Sequence, residues 1–282
     1  MSDIRIHVFH TGEVCVAPDL PFGGDHSNAI KASGVFGKKE DRLWLPVSAY
    51  LIECPRGKFL VDTGWARDMS PEGEFDKKAQ IKSLGSVMLY EVNQGRIGLG
   101  QCIDEQLLKM GIRDSDIDAV LLTHLDCDHA NGLKQVKNAK KFLVAADEVK
   151  FAGRITNRVR YYKNWWKDIP LTEFDWNDSQ GPAGKSYDLL GDGSIELINI
   201  PGHADGLFAV KVKNEEGKFV LLFSDGGYAR KSWEEMITSG IAADKEQQKK
   251  SLAWIHEQSL DENCVESLAN HDPDIQPHVI EL

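Results

Sequence analysis

The chain of 282 residues has no long uninterrupted apolar run and no basic-then-apolar leader at its start. Neither a transmembrane helix nor a secretory signal is therefore expected, and the sequence reads as that of a cytoplasmic protein. Positive charge is in deficit, with 33 Lys and Arg against 44 Asp and Glu and a net charge of -11. Phosphate backbones and anionic headgroups call for a basic face, so neither nucleic acid nor a membrane is an expected partner. The five cysteines, Cys15, Cys54, Cys102, Cys127 and Cys264, are odd in number, lie far apart and form no CxxC pair, which argues for reduced thiols over a disulfide frame. Tandem repeats, heptads and low-complexity tracts are also missing, which removes solenoids and coiled coils. What is left is a chain long enough for one large α/β domain or two small ones.

Apolar patterning places the elements. Ile4 to Phe9 alternates with period two and predicts a strand at a sheet edge, in which His7 and His10 are structural. Residues 11–42 are rich in Gly, Pro, Asp and Lys and read as a long surface excursion of the kind that serves as a lid. Leu45 to Glu53 and Lys58 to Val61 form a hairpin around Cys54-Pro55-Arg56-Gly57. The second strand ends in Asp62-Thr63-Gly64, which sets Asp62 at a sheet rim where it could hydrogen-bond a metal-ligating histidine from behind. Residues 66–100 show no sustained period and read as an insertion with one short helix. Ile103, Leu107 and Met110 lie at helical spacing before Gly111, and that helix feeds a doubly buried strand at 117–123. A strand at 141–146 and a short helix at 146–151 follow. The aromatics Tyr161, Tyr162, Trp165, Trp166, Phe174 and Trp176 read either as core or as a wall over a pocket for a partly apolar ligand. Strands at 195–200, 207–212, 218–223 and 265–269 surround a helix at 244–258.

Chemistry concentrates in His124-Leu125-Asp126-Cys127-Asp128-His129, where four potential ligands fall within six residues just after an apolar strand. Imidazole nitrogen and carboxylate oxygen suit zinc, manganese and iron, and Ala130, Asn131 and Gly132 permit a tight turn into the next helix. An Asp-rich loop with histidine also serves as a plain turn or helix cap. Cys127 is flanked by two carboxylates that disfavour its thiolate, so it lines a pocket rather than attacking a substrate. The larger pattern is that His124, Asp128, His129, His203, Asp225 and His271 each follow a predicted strand or its turn, which would gather six candidates at one end of the sheets. His26, His256 and His278 share no such pattern and read as surface or core decoration.

The segments Leu60-Val61-Asp62-Thr63-Gly64, the His124 motif, Pro201-Gly202-His203, Asp225 and Asn270-His271-Asp272 resemble the metallo-β-lactamase superfamily of dinuclear metallohydrolases, and within it the quorum-quenching N-acyl homoserine lactone lactonases. The resemblance implies an α/β fold, a four-layer αββα sandwich, as a single domain over 1–282 with insertions near 11–42, 66–100 and 153–190. It also implies two divalent metal ions in a cleft at one edge, zinc ahead of iron or manganese. His124, Asp126, His203 and a bridging Asp225 would hold one; Asp128, His129, His271 and Asp225 would hold the other. Position 126 departs from the superfamily, which usually has histidine there. A carboxylate is shorter and adds negative charge, so it hardens that site toward iron or manganese and lowers the Lewis acidity felt by bound water. A carboxylate at this place is reminiscent of the diiron flavoprotein reductases of the same fold, but those carry an appended flavodoxin-like domain and this sequence ends at Leu282, so electron transfer is not expected.

The implied activity is opening of a lactone ring, N-acyl homoserine lactones first, by attack of a metal-bridging hydroxide. Tyr228 stands three residues after Asp225, the spacing of the tyrosine that contacts the substrate carbonyl in the lactonases, and could donate to the oxyanion; a simple turn aromatic is the alternative. Asp128 could pass the proton to the leaving alkoxide. Two other readings stay open. One is a hydrolase of another ester, thioester or phosphodiester, the last favoured by clustered cations that only Arg154 to Arg160 offers. The other is a catalytically weak metal-binding sensor impaired at Asp126. The expected partner is a small-molecule ester or lactone, and the oligomeric state is open between monomer and dimer.

Overall fold

A computed structural model describes residues 4–282. Its strands in chain order are β1 (Arg5–Val16), β2 (Leu43–Cys54), β3 (Gly57–Val61), β4 (Gln94–Arg96), β5 (Ala119–Leu122), β6 (Phe142–Ala145) and β7 (Leu171–Phe174). There follow β8 (Ser186–Asp188), β9 (Ile195–Asn199), β10 (Phe208–Lys213), β11 (Phe219–Ser224), β12 (Cys264–Ala269) and β13 (Val279–Glu281). The first sheet runs β13-β1-β2-β3-β5-β6-β7 with β4 also on β1, and the second runs β12-β11-β10-β9-β8.

Period-two alternation builds the layers. Ile6, Val8, Ile52, Val61 and Leu121 of the first sheet share one apolar cluster with Val210, Leu222 and Leu268 of the second. Their sequence neighbours Leu51, Leu60, Leu122, Leu221 and Phe223 belong to the other cluster, which takes in Ile103 and Leu107 of one helix and Leu252 and Ile255 of another. Helices thus cover outer faces of two stacked sheets, the expected αββα order. β5 and β6 are buried at every position, which is why they read as continuous apolar runs. Among the described residues no helix is long and apolar enough to cross a membrane.

Several expectations need correction. β1 is not an edge, because β13 pairs outside it, and it continues through Val16 into the segment read as an excursion. A register shift between His10 and Glu13, with Gly12 at φ 110°, carries the strand through residues that look like loop. Residues 66–100 hold two helices, Lys77–Leu84 and Val87–Val92, capped by the side chains of Asp76 and Ser86, so the capping residues were a legible signal. The aromatic segment is mostly core: Tyr161, Trp165 and Phe174 are buried. Trp165 Nε1 donates to Ser83 O at 2.9 Å, bracing the 66–100 insertion.

Candidate metal centre

Strand ends deliver every candidate side chain to one rim. Asp62 follows β3, the His124 motif follows β5, His203 follows β9, Asp225 follows β11 and His271 follows β12. Asp62 and Ser224 adopt left-handed backbone at φ 57° and 48°, an uncommon conformation for non-glycine residues that marks a locally over-determined site.

Asp62 is fully buried and organises its half of the rim. Its Oδ1 accepts from Thr123 N at 2.9 Å, and its Oδ2 accepts from Thr123 Oγ1 at 2.8 Å and from His129 Nδ1 at 2.8 Å. The hydrogen bond expected from Asp62 to a candidate metal-ligating histidine is thus present. With its proton given to Asp62, the Thr123 hydroxyl is an acceptor for His124 Nδ1 at 3.1 Å. His271 Nδ1 donates to Pro46 O at 2.7 Å. Three imidazoles therefore have Nδ1 anchored and Nε2 turned inward, the arrangement in which an outer partner sets the tautomer of a metal-ligating histidine.

Those inward atoms lack hydrogen-bond partners: His124 Nε2, His129 Nε2, His271 Nε2 and Asp225 Oδ1 are all buried and unsatisfied. His129 Nε2 and His271 Nε2 lie 3.3 and 3.2 Å from Asp225 Oδ1, and His271 Nε2 lies 3.5 Å from Asp128 Oδ2. Unpaired buried lone pairs are costly, and lone pairs converging on carboxylates are what a divalent cation satisfies. The charge balance agrees. Burial pushes the His129 pKa down, but Asp225 and Asp62 outweigh it and hold it well above the usual histidine value. His271 is also raised, burial again being outweighed chiefly by Asp225.

The other half differs. His124, Asp126 and His203 bring ligand atoms within 4.8 Å of one another, but Arg160 has entered the group. Arg160 Nε and Nη2 each lie 2.6 Å from an oxygen of Asp126, a bidentate clamp, and Nη2 is also 2.7 Å from His203 Nε2. Burial disfavours the Asp126 charge, yet Arg160, His124 and His203 hold its carboxyl well below the usual range. Burial and then Arg160 lower His203 to about 4. Arg160 was passed over as a site residue, although the Arg154 to Arg160 stretch stood out as the one basic cluster near the motif. Glu148, fully buried, was also missed; its Oε1 accepts from Leu125 N at 3.0 Å and fixes the motif loop. A glutamate on a short helix of mixed charge carries no signal for that role.

All seven candidate ligands and Tyr228 meet here. The Tyr228 ring stacks on His271 with centroids 5.1 Å apart and meets His203 edge-on at 5.8 Å. Burial and Asp225 raise its phenol well above the usual value. Cys127 is buried, and burial followed by Asp128 and Asp126 drives its thiol well up, so it is no nucleophile. A cavity of about 1040 Å³ opens onto Asp126, Asp128, Asp225 and Tyr228. Its apolar walls include Val16, Leu20, Met88, Leu89, Phe151 and Ile241. None of the six aromatics between 161 and 176 lines it, which disposes of the aromatic wall.

A sequence profile of the metallo-beta-lactamase superfamily matches residues 42–222. The chain belongs to that superfamily. Among curated relatives of this superfamily member, the N-acyl homoserine lactonase AttM of Rhizobium radiobacter is 25% identical over 284 residues, spanning 97% of this chain and 95% of its own. The N-acyl homoserine lactonase AiiB of Agrobacterium fabrum is 29% identical over 195 residues, 65% of this chain and 64% of its own. In fold, the superfamily member is similar to an N-acyl homoserine lactone hydrolase solved with N-hexanoyl-L-homoserine at its catalytic metal centre, with a TM-score of 0.74 at 20% identity over 97% of this chain and 95% of the other. It is similar also to AidC, a dizinc quorum-quenching lactonase, with a TM-score of 0.64 at 15% identity over 99% and 94%.

Proposed function

We propose that this protein is a metal-dependent hydrolase that opens lactone rings, with N-acyl homoserine lactones as its first substrates, and hence a quorum-quenching enzyme. The observation that carries the reading is the junction of an apolar-walled cavity with a His and Asp cluster, in a chain that resembles AttM lactonases over nearly its whole length. Asp128, His129, His271 and Asp225 would hold one divalent ion and His124, Asp126, His203 and Asp225 a second, zinc being the first metal to test. Bound there, the ions supply Lewis acidity and lower the pKa of water toward neutrality.

The chain's own groups supply the rest. Tyr228 keeps its proton at neutral pH because burial and Asp225 raise its pKa, so its hydroxyl is a permanent donor on the cavity wall for a developing oxyanion. Asp128, also on that wall, would take the proton that the attacking water loses and pass it to the leaving alkoxide. The apolar walls take the acyl chain and leave the polar ring at the cluster. A phosphodiester reading loses ground because both nearby guanidiniums are already neutralised, Arg154 by Asp205 and Arg160 by Asp126.

The test is a panel of short- and long-chain acyl homoserine lactones, an aryl ester, a thioester and a phosphodiester. Ring opening that disappears on chelation and returns with a divalent metal is expected. No turnover of any lactone by the metal-replete protein, or faster turnover of another class, would overturn the assignment.

A further inference from the structure

Arg160 occupies a position that the metal-dependent reading gives to an ion. Its Nη2 lies 2.6 Å from Asp126 Oδ2 and 2.7 Å from His203 Nε2, and those two atoms are themselves 2.9 Å apart. A guanidinium only donates and a carboxylate only accepts, so His203 Nε2 either accepts from Arg160 or carries a proton toward Asp126, and in both cases it has no lone pair to spare. A metal at about 2.0–2.1 Å from that nitrogen would need the same lone pair. The two cations therefore exclude each other at His203. They do not exclude each other at Asp126, where Oδ1 still accepts from Arg160 Nε at 2.6 Å when Oδ2 is engaged elsewhere.

The guanidinium is also held in a built seat. Nη1 donates to His203 O at 3.1 Å, and the rings of Tyr161 and Phe151 lie 5.3 and 5.8 Å from its central carbon. Among the described residues nothing comparable reaches the other set: His129 Nε2, His271 Nε2 and Asp225 Oδ1 have no hydrogen-bond partner there.

We propose that Arg160 is a built-in competitor of the metal for the His124, Asp126 and His203 set. The protein takes its first ion through Asp128, His129, His271 and Asp225, and admits a second only when the guanidinium leaves His203. The inference rests on the metal-dependent reading, but its test does not use activity. The full chain, stripped by chelation, is titrated with zinc and with manganese by calorimetry, with bound metal counted after dialysis. The wild type shows two unequal steps. In Arg160→Met the second step tightens by about tenfold or more, since an apparent dissociation constant is the intrinsic one divided by the open fraction, and the first step stays within about twofold. Arg160→Gln, neutral yet able to donate one hydrogen bond to Asp126, shows the same tightening if the methionine variant does not fold. A second step that is unchanged or weaker in the folded variant overturns the competition and makes Arg160 a positioning residue for Asp126, leaving the two-metal reading intact. A wild type that binds no metal overturns both.

Discussion

The two halves of the rim are built from the same residue types and behave differently. Around His129 and His271 each Nδ1 is anchored, each Nε2 is unpaired, and both pKa values are raised by carboxylates that outweigh burial. Around His203 the order is reversed: Nδ1 has no partner, Nε2 is engaged by Arg160, and the pKa falls to about 4 through burial and Arg160. The lesson is that a ligand set is defined by what its lone pairs are free to do. Composition alone would rank the halves alike.

The comparison breaks most visibly under alanine substitution. His271→Ala is expected to remove the tight metal step entirely, whereas His203→Ala leaves that step in place and abolishes only the weak one. Calorimetric titration of both variants with zinc decides it, and equal loss in the two would erase the distinction between the halves.

Tyr228 touches both halves, so its hydroxyl tests whether they serve one reaction. Tyr228→Phe keeps the ring stacked on His271 and should lower kcat on a lactone by roughly ten- to a thousandfold with metal content intact. An unaltered kcat on short and long acyl homoserine lactones would remove Tyr228 from the reaction.

The smallest expected effect sharpens the role of position 126. Asp126→His alone strands the Arg160 guanidinium without its carboxylate, and thermal or urea denaturation of the metal-free protein should show a loss of about 1–3 kcal/mol. Adding Arg160→Met should recover that loss and shift metal preference toward zinc, the softer-ligand choice. A single variant as stable as the wild type would show that the clamp carries little weight.

Much of this was legible because it lies in local pattern. Short apolar runs placed β2, β3, β5, β6 and β9 to β12, and each candidate ligand sits at or just after the end of such a run, so their positions along the chain put them at one rim. Asp62 was legible for the same reason. The edge assignment of β1 failed because an edge is a property of the whole sheet: β13 closes over it from the far end of the chain. The helix at 77–84 was underread because its apolar residues are few among polar ones, and that at 87–92 because its short apolar run shows no helical period, although Asp76 and Ser86 announced their starts.

The sequence by itself determined the superfamily and the candidate ligands at the strand ends, Asp126 among them, all of which depend on residue type and short-range order. Only the tertiary structure decided what Asp126 faces. Arg160 lies 34 positions further along the chain, on a turn after the helix Ala146–Ala152, and no local pattern links the two. Folding brings the guanidinium to the carboxylate and to His203, 43 positions beyond it. A buried charge takes its character from whichever opposite charge packs against it, and that choice belongs to three-dimensional packing.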